Sequence, residues 1–229
     1  MIDKKQLNNR LVQKTKSLAN LGDTTYHDGL QLTHIDNGAD VLAVVHLDTV
    51  MQAVPEFKAD RVIAPQLDDR LGLHIILDIL PQFCKFDVLL TDGEEIGRST
   101  AQHFNTAKQY NWMFQFDRHG TDAVMYDYHF QGNWNTAVDS HFKVGYGSFS
   151  DICYLTQLGV CGVNVGTGYH HEHTLKCYAK YREVQAMIFN FLGFWQINYD
   201  QQFDYDAYSD QDWEGENKSY SKWADKWLD

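Results

Sequence analysis

The sequence predicts a three-layer α/β/α sandwich built on a mostly parallel central sheet that is mixed at its edge. Short apolar runs that suit buried strands alternate with longer segments whose apolar residues recur at helical spacing. The chain has 229 residues, the length of one generous α/β domain. Its 44% hydrophobic and 22% charged residues are an ordinary globular balance, so the composition indicates a folded core.

The first predicted elements are an amphipathic helix and a hairpin. Leucines recur near helical spacing within residues 2–20, which indicates an opening helix. Residues 25–35 are predicted as one strand and residues 41–46 (VLAVVH) as the next. The turn-forming DNGAD between them indicates that these two strands pair with each other.

The remaining elements continue the alternation of strands and helices. This order predicts a parallel sheet, because parallel strands need crossover connections that are usually helical. We predict helices at 71–80, 98–110, 151–159 and 182–196, strands at 86–91, 112–117 and 160–166, and a further short segment near 123–128.

The last 30 residues differ in composition from the rest of the chain. We divide the sequence into a single α/β domain, residues 1–199, and an acidic, aromatic-rich tail, residues 200–229. The tail has nine acidic residues and three lysines, a net charge of −6 out of −12 for the chain. Tyr220, Trp223 and Trp227 fall at i, i+3 and i+7, which predicts a short helix docked on the domain. A partner-binding tail is the alternative.

Charge and hydropathy argue against two classes of partner. A net charge of −12 is unfavourable for nucleic-acid binding, which normally depends on basic side chains that meet phosphates. The apolar run VLAVV is far shorter than a membrane span, and the polar first residues contain no signal-peptide stretch. We therefore expect a cytoplasmic protein that binds neither nucleic acid nor membranes. Its oligomeric state does not follow from the sequence.

The segment VVHLD places a histidine at the end of a predicted buried strand. His46 and Asp48 are two residues apart, so in an extended segment their side chains point the same way. Asp48 is therefore positioned to orient the ring of a metal-bound His46. Taken alone, this pair is more often an ordinary surface histidine beside an aspartate.

The segment TDGEEIG places two consecutive glutamates after another predicted buried strand. The carboxylates of Glu94 and Glu95 repel each other unless a cation lies nearby. One of them can ligate a metal while the other takes a proton from a metal-bound water.

Three further segments offer metal-ligating side chains. QLDDRLG has Asp68 and Asp69 at a helix start, where an aspartate otherwise acts as a helix cap. Asp117 ends a strand in FQFDRHG. The histidines of GYHHEHT, which follows the last predicted strand, are His170, His171 and His173.

These segments are expected to meet, because the carboxyl ends of parallel strands converge on one edge of a sheet. A mixed set of two histidines and three carboxylates suits zinc and other borderline divalent ions. A carboxylate that bridges two ions gives each of them three protein ligands and leaves room for a shared water. The sequence therefore predicts a dinuclear metal centre at this edge.

The ordered segments VVHLDTV, QLDDRLG, TDGEEIG, FQFDRHG and GYHHEHT resemble the co-catalytic dizinc exopeptidase superfamily, which groups aminopeptidases, carboxypeptidases and related amidohydrolases. The resemblance runs from about residue 40 to 178. It implies a catalytic domain at residues 1–199, a small peptide or amide substrate, and two divalent ions, zinc first and cobalt or manganese as alternatives. The short spacings leave no room for a lid or dimerisation insertion, so the chain resembles a minimal form close to the simple aminopeptidases.

The resemblance also implies a role for each residue. Glu94 matches the general base, and Asp48 matches the carboxylate that orients the first histidine. The implied metal ligands are His46, Asp68 and Asp117 on one ion, and Asp68, Glu95 and His173 on the other.

Some assignments remain open between neighbouring residues. Asp69 is the alternative to Asp68, and His170 or His171 is the alternative to His173. Cys177 stands where the superfamily often has an acidic residue. The carboxylate that would contact the metal-binding His173 is therefore replaced by a thiol in this chain. The candidates for holding the tetrahedral oxyanion are Tyr169, Arg118 and His171.

An aminopeptidase-like exopeptidase is the function predicted first. An amidohydrolase or deacylase acting on a non-peptide N-acyl substrate is an alternative, since it uses the same metal chemistry. A non-catalytic binding module that keeps the fold is the other alternative. The sequence retains every implied ligand together with Glu94, which argues against such a module. When a protein loses its catalytic activity in evolution, the general base or a metal ligand is usually replaced first. The serine-hydrolase motif G-x-S-x-G and the zinc-protease motif H-E-x-x-H are both missing from the sequence.

Overall fold

A computed structural model describes residues 2–206, and within this range eleven strands form two sheets. The strands are β1 (Asp23–His27), β2 (Leu30–Ile35), β3 (Val41–His46), β4 (Glu56–Phe57), β5 (Arg61–Ile63), β6 (Asp87–Thr91), β7 (Trp112–Arg118), β8 (Ala123–Val124), β9 (Gly162–Gly166), β10 (Tyr169–His170) and β11 (Tyr178–Lys180). The larger sheet has the order β1-β2-β6-β3-β7-β9-β8, and the smaller sheet has the order β10-β11-β5-β4.

The centre of the larger sheet is parallel and its edges are antiparallel. Strand β3 pairs in parallel with β6 and β7, and β7 pairs in parallel with β9. Strands β1, β2 and β8 add antiparallel pairs at the two edges. All six residues of β3 are buried, as expected for a strand with neighbours on both sides and helices above and below. The predicted mostly parallel sheet with mixed edges is confirmed.

Helices cover both faces of this sheet. The α-helices are α1 (Lys4–Val12), α2 (Leu67–His74), α3 (Gly132–Asp139) and α4 (Tyr181–Asn198). Phe191 of α4 packs on Phe114 and Phe116 of β7, with ring centroids 4.6 and 5.0 Å apart. Gln115 lies between these two phenylalanines and points to the other face, where it accepts a hydrogen bond from Ser150 before the 3₁₀ helix Asp151–Leu158. The three-layer α/β/α architecture is therefore confirmed.

The predicted hairpin between residues 25–35 and 41–46 is wrong. Residues 25–35 lie in two strands, β1 and β2, which turn at Asp28 and Gly29, both of which have positive φ. Strand β2 then pairs with β6, so β6 lies between β2 and β3. The DNGAD turn crosses the start of β6, where the Asp87 carboxylate accepts hydrogen bonds from the backbone of Asn37 and Ala39.

Two predicted helices are shorter than expected. The opening segment 2–20 contains α1 and then a separate 3₁₀ helix, Thr15–Leu21. Within 98–110 the helical part is the 3₁₀ helix Thr100–His103. The predicted helix at 182–196 and the strands at 86–91, 112–117 and 160–166 are present with small changes in their ends.

Two glycines bring the candidate site residues to the carboxyl ends of the parallel strands. A Cβ atom at Gly72 of α2 would lie 2.0 Å from the backbone oxygen of Phe116, so α2 approaches β7 as closely as it does because this residue is glycine. Gly93 has a φ of 82°, and a Cβ atom there would lie 2.8 Å from the backbone oxygen of Arg98. This left-handed residue turns the chain from β6 into the short 3₁₀ helix Glu94–Ile96.

The first residues of the predicted tail belong to the folded domain. Phe203 donates its backbone N–H to Asn111, and its oxygen accepts from Cys161, while Asp204 forms a bridge with Val160. The tryptophan stripe of the tail lies outside the described residues. Within residues 2–206, every helix is too short or too polar to cross a membrane.

Candidate metal centre

His46 is the last residue of β3, and its two ring nitrogens face different partners. Nε2 lies 3.2 Å from Asp68 Oδ1 and 3.2 Å from Asp117 Oδ1. Nδ1 lies 3.1 Å from the backbone oxygen of Asp48 and 3.4 Å from its carboxylate. The ring is buried and held from the Nδ1 side, which leaves Nε2 as the nitrogen directed at the carboxylates.

Asp48 also holds the segment that carries the two glutamates. Its carboxylate accepts the backbone N–H groups of Glu94 and Glu95, at 3.2 and 3.0 Å. One aspartate thus positions His46 and the turn after β6 together. The sequence predicted the first contact, whereas the second depends on β3 and β6 being neighbours.

Five predicted side chains form two clusters that share one aspartate. We call them the His46 cluster (His46, Asp68 and Asp117) and the His173 cluster (Asp68, Glu95 and His173); in each, the candidate ligand atoms lie within 4.8 Å of one another. His173 Nε2 lies 3.2 Å from Asp68 Oδ2 and 3.0 Å from Glu95 Oε2. Asp68 therefore directs Oδ1 to one cluster and Oδ2 to the other, the arrangement that a bridging ligand requires.

The clusters have the properties of a cation site. Glu95 Oε1 is buried and has no hydrogen-bond partner within residues 2–206. Burial raises the pKa of Glu95 to about 7, and the nearby Asp68 adds to the rise. Burial also raises the pKa of Asp117 well above its usual value. Buried carboxylates this close repel one another, and divalent cations with a preference for mixed oxygen and nitrogen ligands fit the set.

Glu94 lies beside the clusters and belongs to neither of them. Burial raises the pKa of Glu94 to about 7, with Asp151 and Asp68 adding to the effect and His46 opposing it. In the metal-free protein, its carboxyl group therefore titrates near neutral pH.

Sequence reasoning missed the polar residues beneath the clusters. Gln115 Nε2 donates to Asp117 Oδ2 at 3.2 Å, and Asn164 Oδ1 accepts the Asp117 backbone N–H at 3.0 Å. These contacts hold Oδ2 and leave Oδ1 facing His46. A polar residue two positions before Asp117 in a buried strand was the available signal, because alternate strand residues share a face.

Asp151 is a second buried residue that the sequence did not single out. Its carboxylate accepts hydrogen bonds from Thr91 at 2.7 Å and from Ser99. Thr91 is the last residue of β6, so Asp151 lies below the turn that carries Glu94. An aspartate at a predicted helix start usually caps the helix, so its position in the sequence did not indicate this role.

The alternative ligands lie outside both clusters. Asp69 is fully buried, and both of its carboxylate oxygens lack a hydrogen-bond partner among the described residues. His170 Nε2 is bound to Glu183 Oε2 at 2.7 Å. His171 is exposed, and its ring lies 5.7 Å from that of Tyr178.

The side chain of His173 is more exposed than that of His46 and has fewer hydrogen-bond partners. Its side chain is 52% exposed, against 1% for His46. Cys177, which stands in place of an expected carboxylate, is buried in the core, and its backbone N–H bonds to Thr174. Within the described range, Nδ1 of His173 has no hydrogen-bond partner, so the His173 cluster is the less constrained of the two.

Two of the three candidates for holding an oxyanion have structural partners instead. The Tyr169 hydroxyl is buried and donates to the backbone oxygen of Asp117. Arg118 makes two hydrogen bonds to the Asp122 carboxylate, at 3.1 and 3.2 Å. Both side chains thus hold the loop after β7 in place.

We expect the stability of metal-free protein to fall as pH rises from about 5 to 9. Burial raises the pKa of Glu94 and Glu95 from 4.5 to about 7, and a hydrogen bond to Asp68 raises the pKa of His173 from 6.5 to about 9. In this window the folded state binds more protons than the unfolded state, so raising the pH favours unfolding. Melting temperatures in EDTA at pH 5, 7 and 9 test this, and a rise across the series would contradict it.

We expect His173→Ala to lower metal binding at one of the two sites only. The His46 cluster keeps all three of its ligands in this variant, so one equivalent of metal remains bound. His170→Ala is the matched control, because His170 belongs to neither cluster. Titration with zinc, followed by calorimetry, distinguishes the two variants. Loss of metal in His170→Ala with full binding in His173→Ala would reverse the assignment.

The fold is similar to those of solved peptidases. A tripeptidase from Staphylococcus aureus matches with a TM-score of 0.63 and 13% identity, over 88% of this chain and 100% of that one. An aminopeptidase from Bacillus cereus matches with a TM-score of 0.56 and 12% identity, over 84% of this chain and 98% of that one. An aminopeptidase from the archaeon Desulfurococcus kamchatkensis matches with a TM-score of 0.55 and 10% identity, over 87% and 89% of the two chains.

At the level of sequence, no protein-family model matches the chain, and no curated protein matches it. The three-dimensional comparison nevertheless confirms the fold that the resemblance of the five motifs implies. The chain therefore has the fold of this tripeptidase and these aminopeptidases.

Proposed function

We propose that the protein is a dinuclear metal-dependent exopeptidase of the aminopeptidase type. The observation that carries the proposal is the pair of three-ligand clusters that share Asp68, with Glu94 beside them and free of both. His46 and Asp117 complete one site, and Glu95 and His173 complete the other. Zinc fits this mixture of nitrogen and oxygen ligands, and cobalt and manganese are alternatives.

The roles of the protein groups follow from this arrangement. Bound divalent ions would supply polarisation of the scissile carbonyl and a water of lowered pKa. Glu94 takes a proton from the attacking water and returns it to the leaving amine, a role that its position beside both clusters and outside their ligand sets supports. Asp48 keeps Glu94 in place through the backbone and orients His46 through Nδ1.

The charges near the clusters favour a substrate with a free amino terminus. Carboxylates predominate beside the ligands, in Asp48, Glu94 and Asp151. Arg118 directly follows Asp117 in the chain, but its guanidinium group is already hydrogen-bonded to the Asp122 carboxylate. Where the ligand carboxylates and a bound hydroxide balance the charge of two divalent ions, these remaining carboxylates attract a substrate ammonium group and repel a carboxyl terminus.

Reconstitution with metal followed by a substrate screen tests the proposal. Protein loaded with zinc, cobalt or manganese should bind two equivalents and hydrolyse peptides and aminoacyl amides from the amino end. Cleavage confined to N-acyl compounds that are not peptides would indicate an amidohydrolase instead. Protein that binds less than one equivalent of any of these metals would contradict the catalytic proposal.

A further inference from the structure

An apolar cleft lies against helix α4, away from the metal centre. We call it the α4 cleft; it has a volume of about 100 Å³, and its apolar lining residues are Ile2, Ile79, Phe83, Ile188, Phe189 and Leu192. Phe83 lies four residues before the start of β6, whereas Glu94 and Glu95 follow the carboxyl end of the same strand. The α4 cleft is therefore separate from the two ligand clusters.

The apolar surface of α4 is wider than its contact with the sheet. Phe191 packs on β7, with its ring 4.6 Å from that of Phe114. Phe189 and Leu192 extend the apolar surface of the helix beyond this contact, towards the cleft. A surface helix normally buries one apolar stripe and presents polar side chains elsewhere, so the additional apolar residues indicate a surface that another segment covers.

The two phenylalanines of the cleft are highly exposed. Phe83 is 62% exposed and Phe189 is 71% exposed, although Ile2 and Ile188, which line the same cleft, are buried. One exposed apolar side chain is ordinary, but these four residues form a continuous apolar surface. Covering it with other apolar side chains is favourable, because both surfaces are removed from water.

The last described residues of the chain lie beside α4. The ring of Phe203 packs on Trp134 at 5.0 Å, and Trp134 packs on Phe194 of α4 at 5.8 Å. Asp206 is held through its backbone by Gln131, which donates to its oxygen at 3.1 Å and accepts its N–H at 3.4 Å. A further 23 residues follow Asp206 in the sequence.

These 23 residues are numerous enough to reach the α4 cleft. The tryptophan stripe (Tyr220, Trp223 and Trp227) begins 14 residues after Asp206, and 14 extended residues span up to roughly 50 Å. Helix α4 has 18 residues and is about 27 Å long. A segment tethered to the same chain is also present at an effective concentration of about millimolar, which favours it over a second copy of the protein.

Charge complementarity supports the same occupant. Residues 207–217, which connect the described domain to the tryptophan stripe, contain four acidic residues and no basic residue. Lys5, Lys85 and Arg182 are exposed, and each lies within six residues of an apolar residue that lines the cleft. In the described part of the chain, none of these three side chains forms an ion pair. They therefore attract the acidic connection towards the cleft.

We propose that the tryptophan stripe packs in the α4 cleft of the same chain and covers Phe83 and Phe189. Indole and phenyl rings in contact remove a large apolar area from water and gain further from tilted ring packing. Because Ile2 lines the same cleft, the docked tail joins the two ends of the chain. The proposal does not depend on the exopeptidase function, since the cleft is separate from both ligand clusters.

Photocrosslinking of the full-length protein tests the proposal. p-Benzoylphenylalanine is incorporated in place of Trp223, and the crosslinked residues are identified by mass spectrometry after irradiation. We expect crosslinks within one chain to residues 79–83 or 185–192. Adding Phe189→Ser should reduce their yield several-fold. Ile197→Ser is the matched control and should leave the yield unchanged, because Ile197 is 57% exposed on the same helix but does not line the cleft.

A double-mutant cycle tests the same contact without the crosslinker. Trp223→Ser and Phe189→Ser should each lower the melting temperature by about 2–4 °C, the shift expected for the loss of a modest contact in a protein of this size. The double variant should lose less than the sum of the two shifts, because both substitutions remove the same contact. Trp223→Ser combined with Ile197→Ser should give additive shifts.

The absence of crosslinks to the cleft, or additive shifts for Trp223→Ser and Phe189→Ser, would overturn the proposal. Crosslinks that join two chains, identified by mixing isotopically labelled and unlabelled protein, would assign the cleft to a second copy and overturn it as well. Zinc content and turnover should be unchanged in Phe189→Ser. The outcome is therefore independent of whether the proposed exopeptidase function is correct.

Discussion

Replacing Glu94 by glutamine should lower kcat by about 10²- to 10⁴-fold while the metal content stays unchanged. The amide is nearly isosteric with the carboxylate, but it cannot take a proton from water. Glu94 belongs to neither ligand cluster, so both ions keep their protein ligands. The measurement is kcat on an aminoacyl amide together with zinc content by elemental analysis.

Glu56→Gln is the control for this variant, because Glu56 is an exposed glutamate on β4. It should behave as the wild type in both measurements. A Glu94→Gln protein that retains wild-type turnover would remove Glu94 from the mechanism. Loss of zinc in this variant would instead make Glu94 a ligand.

Replacing Asp68 by alanine should remove both metal ions and the stability that they provide. Asp68 is the residue that the two clusters share, and each of its oxygens faces a different histidine. Metal that binds only the folded state stabilises it, by about 2.7 kcal/mol when the free metal is at 100 times its dissociation constant. EDTA should therefore lower the melting temperature of the wild-type protein and leave that of Asp68→Ala unchanged.

Asp139→Ala is the control, since Asp139 is an exposed aspartate at the end of α3. This variant should keep two equivalents of zinc and the wild-type response to EDTA. If Asp68→Ala still bound two equivalents, Asp68 could not be the bridging ligand, and the buried Asp69 would become the candidate.

The strands that end in site residues could be predicted because their signals are local. VLAVVH, FDVLLT and WMFQFD are short continuous apolar runs, as expected for strands buried on both faces, and they form β3, β6 and β7. His46, the pair Glu94 and Glu95, and Asp117 end or follow these runs. Parallel pairing then brings them to one edge of the sheet, which is why their meeting could be anticipated.

Strand order was not predictable in the same way. The DNGAD turn favours a local hairpin, but β6 lies between the two strands that the turn connects. Asp87 at the start of β6 accepts backbone hydrogen bonds from this turn, a contact between residues about 50 positions apart in the chain. Local turn propensity carries no information about such a partner.

By itself, the sequence determined which side chains have metal-binding chemistry and near which strand ends they lie, since strand periodicity and ligand type are local properties. Only the tertiary structure decided how they combine. It directs the two oxygens of Asp68 to different histidines, separates His173 from His170 and His171, and places Gln115, Asn164 and Asp151 beneath the clusters. These outcomes depend on distances between residues far apart in the chain, which packing alone sets.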